Sequence, residues 1–461
     1  MKSSKKNIRR ISLNTMQVIA IGFLGVILAG GILLWLPFSN QQPIEFIDAL
    51  FTSVSAVCVT GLVTITPASQ FTVLGKGILF VLIQIGGLGV IACTVAFFLI
   101  IKKKITMRER VVIQQSYNLD TLSGMVQFII RILKGTFLVE GIGAFLFSFQ
   151  FIPQYGFVRG ICFSVFHSVS AFCNAGIDIL GTTSFMEYVR SPLISFTTMF
   201  LIIMGGLGFT VWYDIYYNTI HVIKERQPAR RLFTRLKVHS KLVLCMTAAL
   251  IVIGLAGFVI LEFNNPETLG NLTLGEKLTA SAFQSVTSRT AGFASISQES
   301  LTSGSKLLGC ILMFIGGSPA GTAGGVKTTT AAMLILTCIC VLQGKKDTEC
   351  FNRKVDAATV RTGIMIMTVT FMFWLSGVTL ITIFEPELDF LNIMYECTSA
   401  LATVGLSANL TTALGRASHV VLMILMYAGR IGPVTMALVF AGKAKTSEQL
   451  RDLPETKVML G

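Results

Sequence analysis

Four short segments of this chain resemble one another, each ending in glycine: Ser53 to Gly61, Ser168 to Gly176, Gln284 to Gly292 and Cys397 to Gly405. The glycines follow at intervals of 115, 116 and 113 residues. Phe51, Phe166, Ala282 and Tyr395 stand ten residues before them; Ser55, Ser170, Val286 and Ser399 stand six before; Ala56, Ala171, Thr287 and Ala400 stand five before. A fixed period with matching positions marks repeated structural units. Four units arranged around one axis would bring the four glycines together at a pore.

Composition decides the solvent. Of the 461 residues 53% are hydrophobic and 13% charged, against about a quarter charged in a soluble domain, and mean hydropathy is +0.73. Apolar runs of about 20 residues or more, long enough to cross about 30 Å of hydrocarbon, recur along the chain. The first, Met16 to Pro37, follows Lys2, Lys5, Lys6, Arg9 and Arg10. It is too long for a signal-peptide core and lacks a small-residue cleavage site, so it reads as a retained span.

The formal charge of +14 does not point to nucleic acid, because 26 of the 37 Lys and Arg lie in the N-terminal tail and in 102–110, 224–241, 345–361 and 443–457. Those segments lie at the chain ends or between units, all on one side if each unit crosses twice. The positive-inside rule then makes them, and both termini, cytoplasmic. Opposite them lie Glu45, Asp48, Glu262, Glu267, Glu385, Glu387 and Asp389. The ten cysteines show no CxxC spacing and read as reduced packing residues.

The expected architecture is an all-α integral membrane protein of four span–pore-helix–span units, eight transmembrane helices in pseudo-four-fold symmetry. Unit one (16–101) has spans at 16–37 and 71–101 around a segment at 43–57. Unit two (124–224) has spans at 124–149 and 192–223 around 158–172. Unit three (237–343) has spans at 239–262 and 303–343 around 274–287. Unit four (357–442) has spans at 358–384 and 418–441 around 388–401. Tails at 1–15 and 443–461 flank them. The middle segments are too short to cross and must re-enter, walled by protein or water.

The second spans carry a further repeat: Ile85-Gly86-Gly87-Leu88-Gly89, Met204-Gly205-Gly206-Leu207-Gly208, Ile315-Gly316-Gly317-Ser318-Pro319 and Ala428-Gly429-Arg430-Ile431-Gly432. In units one and two these glycines read as close-packing residues in continuous helices. Unit three continues through Gly316, Gly317, Ser318, Pro319, Gly321, Gly324, Gly325 and Lys327. So many glycines with a proline cannot stay a regular helix, so 316–327 is expected to break the span and lie as a gating loop across the pore axis. Lys327-Thr328 is no phosphate-binding loop, since Val326 stands where that motif needs glycine.

Arg430 replaces the glycine of the other units. A mid-membrane arginine costs at least about 2.5–3.5 kcal/mol unless it faces a cavity or partner. It either raises a barrier to cations, holds the broken loop through carbonyl oxygens, or sits in a structural ion pair; Lys327 shares this ambiguity. Arg289 reads as a brace for the third turn, His167 as a packing or hydrogen-bonding residue, and Glu140 as either structurally partnered or part of transport. No nucleophile–base pair, carboxylate dyad or metal-ligand cluster points to an enzyme.

At the four turns, Val59-Thr60-Gly61, Asn174-Ala175-Gly176, Thr290-Ala291-Gly292 and Thr403-Val404-Gly405, inward carbonyls would replace the hydration shell of a potassium ion. Glycine tolerates the dihedrals this requires. Each re-entrant helix would aim its partly negative C-terminal end at the pore.

These residues together resemble the Trk/Ktr/HKT superfamily of potassium transporters, from Met16 to about Phe440, and within it the KtrB-type membrane subunits of bacterial Ktr systems. The four glycine segments are similar to that family's selectivity filter, 316–330 to its intramembrane gating loop, and Gly429-Arg430-Ile431-Gly432-Pro433 to its pore-arginine segment. Glycine at all four positions implies potassium, where some members with serine at the first favour sodium. The resemblance further implies a multi-pass bacterial plasma-membrane protein. It implies a homodimer on a cytoplasmic ring of KtrA-type regulatory subunits, which would bind the nucleotide. Sodium is common in the family as a second ion. The alternatives are a sodium or non-selective cation transporter of the same superfamily, and an alternating-access secondary transporter.

Overall fold

Each expected re-entrant segment is a short helix in the computed structural model of the protein, which describes residues 15–101, 110, 124–228, 230–432 and 436. The first unit runs α1 (Thr15–Trp35), α2 (Phe46–Cys58), α3 (Val73–Leu88) and α4 (Val90–Ile100). The second runs α5 (Met125–Tyr155), α6 (Phe157–Phe172), α7 (Pro192–Gly206) and α8 (Phe209–Lys224). After the short α9 (Arg230–Arg235) come α10 (Val238–Glu262), α11 (Leu274–Thr287), α12 (Ser303–Phe314) and α13 (Thr328–Leu342). A hairpin of β1 (Glu349–Cys350) and β2 (Arg353–Lys354) leads to α14 (Ala357–Phe384), α15 (Phe390–Ala402) and α16 (Arg416–Ile431).

Local chemistry sets where the short helices start and stop. A capping box of Thr273 and Glu276 opens α11, and the Asp389 side chain accepts from Asn392 N at the start of α15. α2 and α15 end where Val59 and Thr403 turn left-handed. Helices α2, α6, α11 and α15 are buried along their C-terminal halves. Their backbones are therefore walled by protein, as non-spanning helices at membrane depth must be.

Among the described residues, α1, α5, α10 and α14 are long and apolar enough to cross a membrane, and a third or less of each is buried. Their remaining faces carry exposed residues such as Ile32, Phe145, Ile260 and Ile383, a surface suited to lipid.

One packing device recurs. A small residue on the long helix lets a hydroxyl from the short helix and a leucine from the following helix approach closely. Added Cβ atoms on Gly30, Gly143 and Gly254 would strike the hydroxyls of Ser53, Ser168 and Ser285 and the methyls of Leu82, Leu201 and Leu312. Those hydroxyls donate to the carbonyls of Ile27, Glu140 and Ile251 at 2.7, 2.6 and 2.9 Å. In the fourth copy Gly377 meets Leu425, and Trp374 Nε1 donates to Thr398 Oγ1 at 2.8 Å.

The second spans depart from expectation. The runs at 71–101 and 192–223 are not continuous helices: the first is interrupted at Gly89 and the second at Leu207–Gly208, where α7 and α8 meet at 98°. Gly89 and Gly208 both have φ of +86°, outside the helical region. The span at 303–343 divides into α12 and α13 around residues 315–327, as expected of that loop alone. α16 ends before Gly432, whose φ is +99°; 433–435 and 437–461, and the tail at 1–14, lie outside the described residues. The span expected at 124–149 continues to Tyr155 through Pro153.

Candidate ion-conducting site

The four glycine segments meet in a closed ring. A Cβ on Gly61 would lie 2.6 Å from the Ala175 carbonyl oxygen, and one on Gly176 2.6 Å from that of Ala291. A Cβ on Gly292 would lie 2.5 Å from the Val404 oxygen, and one on Gly405 would strike the Thr60 oxygen. Each segment thus places the carbonyl before its glycine against the glycine of the preceding segment, and the fourth returns to the first. No side chain larger than hydrogen fits at these contacts.

The backbone alternates in handedness through each segment. Val59, Asn174, Thr290 and Thr403 have φ of 56°, 59°, 68° and 52°, and Gly61, Gly176, Gly292 and Gly405 have φ of 101°, 65°, 82° and 94°. Thr60, Ala175, Ala291 and Val404 between them are not left-handed. Alternation turns successive carbonyls to one side. Left-handed backbone is a genuine outlier for β-branched residues such as Val59, Thr290 and Thr403, and costs about 1–3 kcal/mol each where surrounding structure imposes it. Hydroxyls tie the segments down: Gly61 N donates to Ser55 Oγ at 2.9 Å and Gly405 N to Ser399 Oγ at 3.0 Å, while Ser170 Oγ and Thr287 Oγ1 donate to the Ile177 and Phe293 carbonyls, both at 2.6 Å.

Buried Thr60 Oγ1, Asn174 Oδ1 and Thr403 Oγ1 have no hydrogen-bond partner. Unpaired buried oxygens are costly, and here they cluster on the ring. Asn174 Nδ2 faces Thr290 Oγ1 at 3.4 Å. On one side the four glycines floor a cavity of about 530 Å³. Asp178 is the one ionisable residue in its described lining, among Gln70, Thr183, Gln298 and Asn409.

On the other side the loop at 315–327 lies against the ring. Its neck is closed by Gly316 N to Val326 O at 2.9 Å and Thr328 N to Gly317 O at 3.0 Å, with Ser318 Oγ and Thr328 Oγ1 3.2 Å apart. The break in the α7–α8 run frees carbonyls that receive it: Ser318 N donates to Gly206 O at 2.9 Å and Thr322 N to Gly205 O at 3.1 Å. Phe209 N returns a bond to Ala320 O at 2.9 Å, and Pro319 O lies against Gly208. Thr322 Oγ1 donates to Phe172 O at 3.2 Å, at the end of α6. Gly321 packs on Gly205 and Gly208, Gly324 on Thr403, Gly325 on Ala402 and Gly316, and Gly316 on Thr290. Lys327 Nζ folds back onto Ala323 O at 2.7 Å.

Arg430 completes the layer. Its guanidinium donates to the carbonyls of Thr322 in the loop and of Gly86 and Gly87 in α3. Of the three expectations for Arg430, the geometry matches carbonyl tethering. Arg289 Nη2, next to the third turn, reaches Gly316 O at 3.4 Å at the loop's neck. Glu140 accepts from Gln84 Nε2 at 3.2 and 3.3 Å and has Cys173 Sγ at 3.9 Å, a structural partnership behind the second segment. His167 donates from Nδ1 to Phe163 O at 2.7 Å and accepts Ile179 N at Nε2 at 3.4 Å, among Phe151, Phe166 and Phe185.

Sequence reasoning passed over Thr322 and Asp178. The signal for Thr322 was a hydroxyl amid glycines that need a tether. For Asp178 it was an acid two residues after Gly176, where Val63, Ala294 and Ser407 follow the other glycines.

The chain matches the family described as TrkH, cation transport protein, over residues 1–449. It belongs to that family. Its relatives include Ktr system potassium uptake protein B of Bacillus subtilis, 38% identical with 99% of each chain covered. Potassium/sodium uptake protein NtpJ of Enterococcus hirae is 39% identical, again with 99% of each covered. The crystal structure of the potassium transporter TrkH from Vibrio parahaemolyticus superposes with a TM-score of 0.72 at 15% identity, covering 94% of this chain and 86% of that one, and shows the shared fold. As a TrkH-family member the protein is a cation transporter of the membrane and not an enzyme.

Proposed function

We propose that this chain takes up potassium through a single pore on the axis of the glycine ring. The closed circle of four carbonyls, each seated on the preceding segment's glycine, carries this reading. Alternating handedness aims further carbonyls from Val59, Thr60 and Gly61 and their counterparts inward, so that a dehydrated cation exchanges water for oxygens. The names of the Bacillus and Enterococcus relatives, a potassium and a potassium/sodium uptake protein, give the ion class. Glycine at all four positions favours potassium; the second name keeps sodium as an accompanying ion.

The units at 16–101, 124–224, 237–343 and 357–442 would each cross twice, giving eight spans with both termini cytoplasmic. An inward-moving cation gains about 2.3 kcal/mol per 100 mV. The loop at 316–327, tethered to α7 and to Arg430, is the gate. Its opening exchanges a few carbonyl bonds for water in the pore, a change that a regulatory partner can drive. The protein B designation of the Ktr relatives supports such a partner; a homodimer on a nucleotide-binding cytoplasmic ring is the assembly proposed.

The test is potassium against sodium uptake into liposomes by the purified chain, with and without the partner, and with Gly61→Ser in parallel. Potassium-preferring flux that loses its preference in the variant is expected. Equal sodium flux in the wild-type protein, or an unaltered preference in the variant, would overturn the filter assignment.

A further inference from the structure

Between α9, the start of α10 and the β1–β2 hairpin lies a second cavity, of about 550 Å³, lined by Arg235, Lys237, Lys241, Arg353 and Lys354 with no acid in its described lining. Two of these cations are paired: Arg235 with Glu225 and Lys354 with Asp347, each at 2.8 Å. Among the described residues Lys237, Lys241 and Arg353 meet no carboxylate within ion-pair distance. Asp214 Oδ2 accepts from the backbone N–H of Lys237 at 2.9 Å, not from its ammonium.

The pocket is built rather than incidental. Lys241 Nζ bonds Thr234 O at 2.9 Å and lies 5.7 and 5.9 Å from the rings of Phe233 and Phe351. Phe351 reaches that position only because the hairpin turns through left-handed Phe351 and Asn352, with φ of 48° and 60°. A two-residue turn of this kind prefers Asn-Gly, so phenylalanine there is strained and held by its surroundings.

The surroundings of the pocket indicate what it takes. α10, mean hydropathy 2.7, begins at Val238, so the cations ring the end of a membrane-crossing helix. The hairpin is fastened beside the end of α13 by Glu349 N to Cys340 Sγ at 3.4 Å, and there Val341 and Leu342 are 67% and 87% exposed. A charged mouth beside an apolar wall at the depth of a helix end matches an amphiphilic anion. We propose that this pocket binds the phosphate headgroup of an anionic phospholipid, with the acyl chains on the exposed end of α13. Juxtamembrane Lys and Arg clusters attract such headgroups.

The experiment uses the full chain in neutral detergent, titrated with phosphatidylglycerol, with phosphatidylcholine of the same chains, and with inorganic phosphate, reading melting temperature and bound lipid by native mass spectrometry. Phosphatidylglycerol is expected to bind and raise the melting temperature, and phosphatidylcholine to do neither. Lys237→Gln with Arg353→Gln should weaken phosphatidylglycerol binding about ten-fold. Arg230→Gln with Arg231→Gln, equal in charge but outside the pocket, should leave it unchanged. Equal loss in both pairs, or loss in neither, overturns the proposal. So does a shift given by inorganic phosphate alone that phosphatidylglycerol fails to reproduce, since the site would then take free phosphate. If the first pair misfolds, Phe351→Ala at the exposed tip must weaken binding; unchanged binding there overturns it equally.

Discussion

Gly405 and Asp178 mark the two ways single residues act at this site, by fitting and by charge. At Gly405, φ is +94° and any Cβ would meet the Thr60 oxygen across the ring. Gly405→Ala must therefore twist the segment or push the first one away. Potassium uptake is expected to fall at least about ten-fold, with lost discrimination against sodium, since misplacement of about 1 Å is enough to disable such a site. Paired uptake assays with the two ions measure it. Asp178 works at a distance. Burial raises its carboxyl to about 6 against the bonds from Leu180 and Gly181 N–H and the Ser184 hydroxyl that hold it down. Its charge is present above that pH and disappears as the pH on the cavity's side falls through it. A carboxylate in the cavity above the ring concentrates cations. The half-saturating potassium concentration should then rise several-fold between about pH 7 and about pH 5 in the wild-type protein, and stay high and flat in Asp178→Asn.

At the scale of elements, close helix packing is testable with a pair of glycines two residues apart. Gly143→Ala places a methyl 2.5 Å from Ser168 Oγ and 2.7 Å from Leu201 Cδ1, whereas Gly141→Ala on the same helix meets nothing within 4 Å. The first should destabilise by about 1–3 kcal/mol through overpacking. The second should be neutral or stabilise by up to about 1 kcal/mol through helix propensity. Thermal unfolding in detergent distinguishes them. Arg430→Ala, which removes the tether between α3 and the loop, should raise partner-independent potassium leak and speed hydrogen exchange at Thr322 N. Unchanged leak and exchange would remove the gate reading.

The short helices were legible in the sequence because the glycine period placed them and their length forbade crossing. The broken second spans were legible only in unit three, where Pro319 and five or more glycines rule out a helix. In units one and two, Gly86-Gly87 and Gly205-Gly206 looked like packing residues, and Gly86, Gly87 and Gly205 are indeed packed closely. The break depends on the next glycine, Gly89 or Gly208, which recurs as Gly432 and adopts positive φ in each case. A third glycine in register was the available signal. That the freed carbonyls of Gly205 and Gly206 would receive the loop was not legible, because backbone acceptors have no sequence signature.

At the scale of the molecule, the ring closes within one chain. Each subunit of the proposed dimer would therefore hold its own complete path. Wild-type chain mixed with Gly405→Ala chain before reconstitution should conduct in proportion to the wild-type fraction. A fall with the square of that fraction would move the path to the interface between subunits.

Because Thr60, Ala175, Ala291 and Val404 come from four different stretches of one polypeptide, the quarters of the ring can be edited separately. In a tetramer of identical chains every substitution arrives four times, and a change tolerable in one quarter can be lethal in four. Here asymmetry is heritable one quarter at a time. That allows one unit to carry a glycine-rich loop, another an arginine and a third an acid at the mouth, while the carbonyl-on-glycine contacts of the ring stay intact.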